Sequence, residues 1–224
     1  MIATCEDTTV LGSFLENHDM PRFPSYTSDM SLTKNAIAFT MLGDGIPILY
    51  QGQEQLLAGA SVPENREAIW LTGYPTGAGT LYKFIATLNA VRKLAIGGDE
   101  GYATSNAVPI YSDSHTIIMR KGFNGTQVVG VFTNMGAAGN ASVNLVASKS
   151  GFGAGDAVTN VFDCRTYTTD SKGSLAITIT SGLPLVLYPT AKLFGGGICD
   201  GTVSSAPGKS PRTFSGSFHF LKGY

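Results

Sequence analysis

A histidine and an aspartate stand side by side at residues 18 and 19, directly after Glu16 and Asn17, and the run that delivers them, Val10-Leu11-Gly12-Ser13-Phe14-Leu15, is apolar. A carboxylate accepts hydrogen bonds and an imidazole can donate one, so the pair suits hydroxyl recognition or stabilisation of a positive charge. Neighbouring residues on a strand point to opposite faces, but where a strand splays into a loop both can line one pocket. The bland alternative is that Asp19 caps the coming turn and His18 fills a surface gap, since Asp and Asn are common turn formers. Arg66 is a third candidate, because a guanidinium presents several fixed donors; its bland alternative is a surface ion pair with Glu64 or Glu67. Glu16 and Glu54 read as structural or solvated carboxylates. His115 and His219 form no metal-spacing pair with His18, and no metal-ligating set is expected.

The elements that must position these groups are alternating strands and helices. Residues 9–15 read as a buried parallel strand whose C-terminal mouth carries Glu16 to Asp19, the place where barrels of alternating strands and helices hold catalytic residues. Residues 32–42 read as a helix with Ser31 as N-cap and Gly43 as stop. Residues 46–50 form a short apolar run after Asp44-Gly45, a second buried strand, in which Pro47 is tolerable near the start. A polar loop follows to about residue 80. Leu81, Phe84, Ile85, Leu88, Val91 and Ala95 then mark one helix face at 3.6 spacing, with Gly97-Gly98 as the expected end. Two parallel strands are too few for a sheet buried on both faces, so residues 1–97 are expected to leave apolar faces uncovered.

From residue 100 the character changes. Short apolar runs at residues 108–111, 116–120, 127–132, 141–145, 157–162, 175–179 and 183–188 are separated by turn signals, the spacing of a β-sandwich. Asn124-Gly125 marks a hairpin tip. The chain therefore reads as α/β followed by an all-β part, divided as 1–98, 99–194 and a Gly/Ser/Pro-rich flexible tail or linker at 195–224.

Composition narrows the function classes. Lys and Arg number 15 against 16 Asp and Glu, which argues against a partner held by phosphate contacts. No apolar run approaches the roughly 18 residues of a membrane span. The start, Met1-Ile2-Ala3-Thr4-Cys5, has no signal-peptide pattern. Apolar residues make up 43% of the chain, so a packed core is expected. Three cysteines, Cys5, Cys164 and Cys199, allow one pair and one leftover.

The segment Gly12-Ser13-Phe14-Leu15-Glu16-Asn17-His18-Asp19-Met20-Pro21-Arg22-Phe23 closely resembles the fourth conserved region of the α-amylase family, glycoside hydrolase family 13. Gly45-Ile46-Pro47-Ile48-Leu49-Tyr50-Gln51-Gly52-Gln53-Glu54-Gln55 is similar to that family's eighth barrel strand and the loop after it. Pro63-Glu64-Asn65-Arg66-Glu67-Ala68-Ile69-Trp70-Leu71 and Leu81-Tyr82-Lys83 resemble its fungal members in particular, as do Met119-Arg120-Lys121-Gly122 and Gly182-Leu183-Pro184-Leu185-Val186-Leu187-Tyr188-Pro189-Thr190 further on. The resemblance spans residues 5–199.

It implies the last two β/α units of a (β/α)8 TIM barrel followed by a C-terminal antiparallel Greek-key β-sandwich. It implies a glycosidase that cuts internal α-1,4-glucosidic bonds of starch and glycogen with retention, through a carboxylate nucleophile and a carboxylic acid/base. In the family these two stand on the fourth and fifth strands, so the resemblance matches a C-terminal part of the enzyme, and the chain alone is expected to be inactive. Asp19 aligns with the third carboxylate, which supports the cation-like ring in the transition state. His18 aligns with a histidine that hydrogen-bonds the same sugar, and Arg66 with an arginine at an outer subsite. Val62 replaces the family's Asp four residues before that arginine, which weakens the outer subsite; Leu56-Leu57 stand where fungal members are more polar. Cys164 and Cys199 match a disulfide, and Cys5 a cysteine paired upstream. The resemblance further implies calcium, with ligands outside the matched part, α-glucan as partner, a monomer and an extracellular location, where Asn124 and Asn140 would be glycosylation sequons. Tyr26, Trp70, Tyr74 and Tyr82 could stack on sugars, Tyr74 the most interesting by its loop position. A second reading is a non-catalytic carbohydrate-binding or regulatory module; a third is a by-product without function.

Overall fold

The computed structural model describes residues 5–123 and 125–200. Two parallel strands open it, β1 (Gly12–Phe14) and β2 (Ile46–Ile48), in register Gly12 to Ile46 and Phe14 to Ile48. Helix α1 (Met30–Leu42) is the crossover between them, and α2 (Tyr82–Gly98) follows the long loop. The strand expected over residues 9–15 is shorter, because Asp7 caps a 3-10 turn at Thr8–Val10. It is also not buried: Phe14, Ile46 and Ile48 are about half exposed, since no third strand joins the pair among the described residues. The apolar faces left uncovered are the ones expected of two strands standing alone.

Helix α1 departs from expectation at its start. Asp29, not Ser31, is the N-cap of α1: one carboxylate oxygen accepts from Ser31 N and Leu32 N, and the other from Ala137 N. A carboxylate can serve three amides where a hydroxyl serves one. Ser31 is freed to donate to the Ser181 carbonyl. Helix α2 ends at Gly98, as expected, and the Asp99 N–H closes on the Ala95 carbonyl. The two glycines end it without the left-handed conformation common at helix C-termini.

The all-β part holds a six-stranded antiparallel sheet in the order β3 (Val108–Ser112), β4 (Thr116–Lys121), β5 (Val128–Thr133), β10 (Leu185–Pro189), β7 (Ala157–Asn160), β8 (Thr166–Thr168). Strands β6 (Ala141–Leu145) and β9 (Leu175–Ile179) pair as a second layer, and a short helix α3 (Ala147–Ser150) follows β6. Strand β8 has no counterpart among the runs expected from sequence: three residues, Thr-Tyr-Thr, give too little alternation to be seen. The β4–β5 hairpin is present; its expected tip residue Asn124 lies outside the described residues.

One core fills the space between the two β layers, with Ile118, Val129, Val131, Val143, Ile177, Ile179 and Leu187 buried together. The opposite face of the large sheet is covered by the helices. Ile37 and Met41 of α1 and Ile85, Leu88 and Val91 of α2 pack with Val128, Phe132, Val186 and Tyr188. This is why β5 is buried at all six positions. Asn35 stitches the two parts together: its amide donates to the Ser31 and Gly182 carbonyls and accepts from Thr133 N, all buried. Lys121, almost fully buried, reaches Asp44 at 2.8 Å across the same seam. Of the stretch expected as a tail, Ile198 is buried and Cys199 is bonded to Cys164; residues 201–224 lie outside the described residues. No helix among the described residues is long and apolar enough to cross a membrane.

Candidate active-site wall

Parallel pairing brings the C-terminal ends of β1 and β2 to the same side. Glu16 follows one strand and Gln51 the other. Between them lies Arg22, fully buried, which donates through Nη1 to Glu16 at 3.2 Å and to the Gln51 carbonyl at 2.9 Å. Its Nε donates to the Asn65 carbonyl at 3.2 Å and to Glu67 at 2.6 Å, and its guanidinium stacks 4.2 Å over the Tyr50 ring. One cation thus fixes the two strand ends and the loop that carries Arg66. Burial raises the Glu16 pKa, and the Arg22 charge only partly offsets this. Burial also opposes ionisation of Glu67, but backbone N–H donors, one of them from Gly59, and Arg22 together hold it below its ordinary value.

On this base sits the His18–Asp19 turn. Asn17 makes the turn, its side-chain oxygen accepting from Asp19 N at 2.9 Å and Met20 N at 3.0 Å. Asp19 is therefore not used up as a cap. Its carboxylate lies 3.2 Å from His18 Nε2 and 3.3 Å from Arg66 Nη2, with all three side chains open to solvent. Arg66 also donates from Nε to the His18 carbonyl at 3.0 Å. Asn65, fully buried, donates to the His18 and Met20 carbonyls at 3.1 and 2.9 Å. Residues 47 positions apart are brought into one polar patch by this loop.

The glutamates near Arg66 in sequence are occupied elsewhere: Glu64 accepts from the Ser61 hydroxyl, and Glu67 belongs to Arg22. Val62 is half exposed, and its side chain has no hydrogen-bonding group. Leu56 packs on the helical core and Leu57 against Gly52, an apolar underside for the loop. Glu54 gives its backbone carbonyl to Leu81 N, at the start of α2. His115 is far off in the sandwich, paired with Asn134; His219 lies outside the described residues. Trp70 and Tyr74 are well exposed on the same loop as Arg66.

Arg22 and Asn65 are the residues that sequence reasoning missed. The only sign was a charged residue between two prolines, Pro21-Arg22-Phe23-Pro24, six positions after Glu16. Among the described residues no group of three or more His, Cys, Asp or Glu side chains could hold a metal ion. The calcium typical of the family implied above therefore finds no ligand set here.

Residues 1–94 match the family model "Alpha amylase, catalytic domain", and residues 109–207 match "Alpha-amylase, domain C". The chain belongs to the α-amylase family. It is 54% identical over 195 residues to "Alpha-amylase 1" of Lipomyces kononenkoae, covering 87% of this chain and 31% of that one. It is 44% identical over 198 residues to "Alpha-amylase 1" of Schwanniomyces occidentalis, covering 88% and 38%. Among solved structures, an α-amylase from Malbranchea cinnamomea superposes with a TM-score of 0.82 at 47% identity, over 88% of this chain and 41% of that one. The chain thus spans about a third to two fifths of the length of these relatives. The catalytic-domain match covers the α/β part as far as residue 94, within α2, and the domain C match covers the sheet layers from residue 109, within β3. The Cys164–Cys199 disulfide closes the C-terminal side of that second part; Cys5 is a free cysteine.

Proposed function

We propose that this chain forms the substrate-gripping wall of an α-amylase active site, in an enzyme that cleaves internal α-1,4-glucosidic bonds of starch or glycogen with retention. The observation that carries the reading is the convergence of Asp19, His18 and Arg66 at the common end of two parallel strands, on a buried scaffold of Arg22 and Asn65. Asp19 accepts from ring hydroxyls and gains strength as positive charge develops on the sugar ring; such bonds contribute several kcal/mol when they tighten in the transition state. His18 donates to the same ring. Arg66 orients Asp19 and reaches a neighbouring sugar, while Val62 leaves that outer position with one acceptor fewer. A retaining glycosidase places its nucleophile and acid/base about 5–5.5 Å apart; among the described residues no second carboxylate pairs with Asp19. On this reading both groups come from strands beyond the two described. The enzyme works outside the cell.

The test is a titration of the chain with maltoheptaose followed by NMR. Signals of His18 and Arg66 should move saturably, and Arg66→Met should weaken binding about 5–10-fold, the loss of one exposed charge-assisted hydrogen bond of about 1 kcal/mol. Unmoved His18 and Arg66 signals at saturating sugar would reject the reading.

A further inference from the structure

We propose that a second cleft, at the junction of α1, α2 and the sandwich, binds a short neutral oligosaccharide. It has a volume of about 270 Å³, near the lower end of the ~300–1,000 Å³ typical of small-ligand sites. Its apolar lining joins Leu183, Pro184 and Leu185 to three aromatic rings. Phe84 of α2 and Phe162, just after β7, stack with centroids 4.4 Å apart and planes 18° from parallel. Tyr167 of β8 lines the same space with the Arg165 guanidinium 5.1 Å from its ring centre.

Much of the polar lining is uncommitted, Asn160 and Asp163 excepted. Lys34 Nζ lies 5.7 Å over the Phe84 ring, and no hydrogen bond within the described residues engages it, the Arg165 guanidinium, the Tyr167 hydroxyl or the hydroxyls of Thr178 and Thr180. Donors and hydroxyls with unused capacity around an aromatic floor suit a ligand that has both an apolar face and a rim of hydroxyls, which is the chemistry of a sugar ring. Two cations and the Asp163 carboxylate share the cleft, so it lacks the undivided positive lining that an anion would require.

The wall that carries Asp163 and Arg165 is held rigid. Cys164 stands between them in the disulfide with Cys199, its N–H bonded to the Asn160 carbonyl. The Asn160 amide and Arg165 N both donate to the same Asp163 oxygen, at 2.8 and 3.0 Å. A wall whose backbone and Asp163 carboxylate are already placed loses little freedom on binding.

The choice of an α-glucan as occupant rests on the function proposed above, whereas the existence of the cleft does not. The test is an NMR titration of the whole chain with maltotriose and, separately, with inorganic phosphate. Maltotriose should move signals of Lys34, Tyr167, Thr178 and Thr180 saturably, and should still do so in an Asp19→Ala variant. Tyr167→Ala should weaken this binding about 10-fold, Tyr167→Phe should retain most of it, and the surface variants Arg165→Gln and Thr180→Val should each weaken it about 3-fold. If maltotriose moves only the His18 and Arg66 signals, the cleft proposal falls and the active-site reading stands. If it moves only the cleft signals, the cleft proposal stands and the active-site reading falls. Phosphate binding in the cleft with maltotriose inert overturns the proposal, as does unchanged maltotriose affinity in Arg165→Gln and Thr180→Val together.

Discussion

Replacing Arg22 with Met should remove the clasp under the His18–Asp19 turn without changing the shape of the loop greatly. The loss can be worked from the partners. Arg22 is fully buried, and the Glu16 side chain beside it is 1% exposed; Glu67, its other partner, is 26% exposed and keeps the Gly59 N–H. Breaking a buried pair by deleting one member costs about 3–5 kcal/mol, because the remaining charge is stranded. The Gln51 carbonyl also loses its donor, whereas the Asn65 carbonyl keeps the Tyr50 hydroxyl. A loss of about 4 kcal/mol at pH 7 is therefore expected, roughly a thousandfold in the folding equilibrium.

The loss has a ceiling, since Glu16 can take up a proton. Burial already raises its pKa in the presence of Arg22, and without the cation the pKa rises further. A carboxyl whose folded pKa lies above the unfolded one favours folding as pH falls, because the folded state binds the proton more tightly. The Arg22→Met penalty should shrink between pH 7 and pH 5, and Glu16→Gln in the same chain should recover more than 1 kcal/mol at pH 7. Urea unfolding followed by far-ultraviolet circular dichroism measures all three chains. A penalty under 1 kcal/mol, or one that does not change with pH, would refute the reasoning.

Asp44→Asn should destabilise by about 2–3 kcal/mol, as buried Lys121 loses its counter-charge and keeps the Gly43 carbonyl. Burial opposes Asp44 ionisation, but Lys121, Asn106 and the Ala107 N–H hold its pKa below the ordinary 3.8. Its stabilisation is therefore fully present above pH 3.8 and lost as pH falls through the lowered value, so the variant's acid unfolding profile should be flatter there. Asn35→Ala should lose about 2–4 kcal/mol in urea unfolding, since Thr133 N–H and the Gly182 carbonyl are left buried without partners. Reducing the Cys164–Cys199 bond, which spans 35 positions, should lower stability by about 3–4 kcal/mol, measured by unfolding with and without a thiol reductant.

Much of this protein was legible in its sequence because the signals are local. The apolar period of α2 named its buried face, and alternation with turn residues located seven of the eight strands in the second part. The cluster Glu16-Asn17-His18-Asp19 marked the candidate site, since an apolar run that stops abruptly at four polar residues is the pattern of a strand delivering side chains to its mouth. Propensity misplaced the start of α1 by favouring Ser31: the third amide served by Asp29 belongs to Ala137, more than a hundred residues away. The three residues of β8 were too few to register.

What only the tertiary structure decided is how partners distant in sequence were chosen. Spacing offered Arg66 two nearby glutamates, yet it holds Asp19, because Arg22 and Ser61 had claimed them. Only the flanking prolines mark Arg22 locally, and its four hydrogen-bond partners lie 6 to 45 positions away. The chain order determined which residues arrive at the strand ends, because apolar runs must bury and polar groups must surface. Which polar groups pair was decided by the fold, because a buried charge takes the counter-charge and carbonyls that three-dimensional proximity supplies.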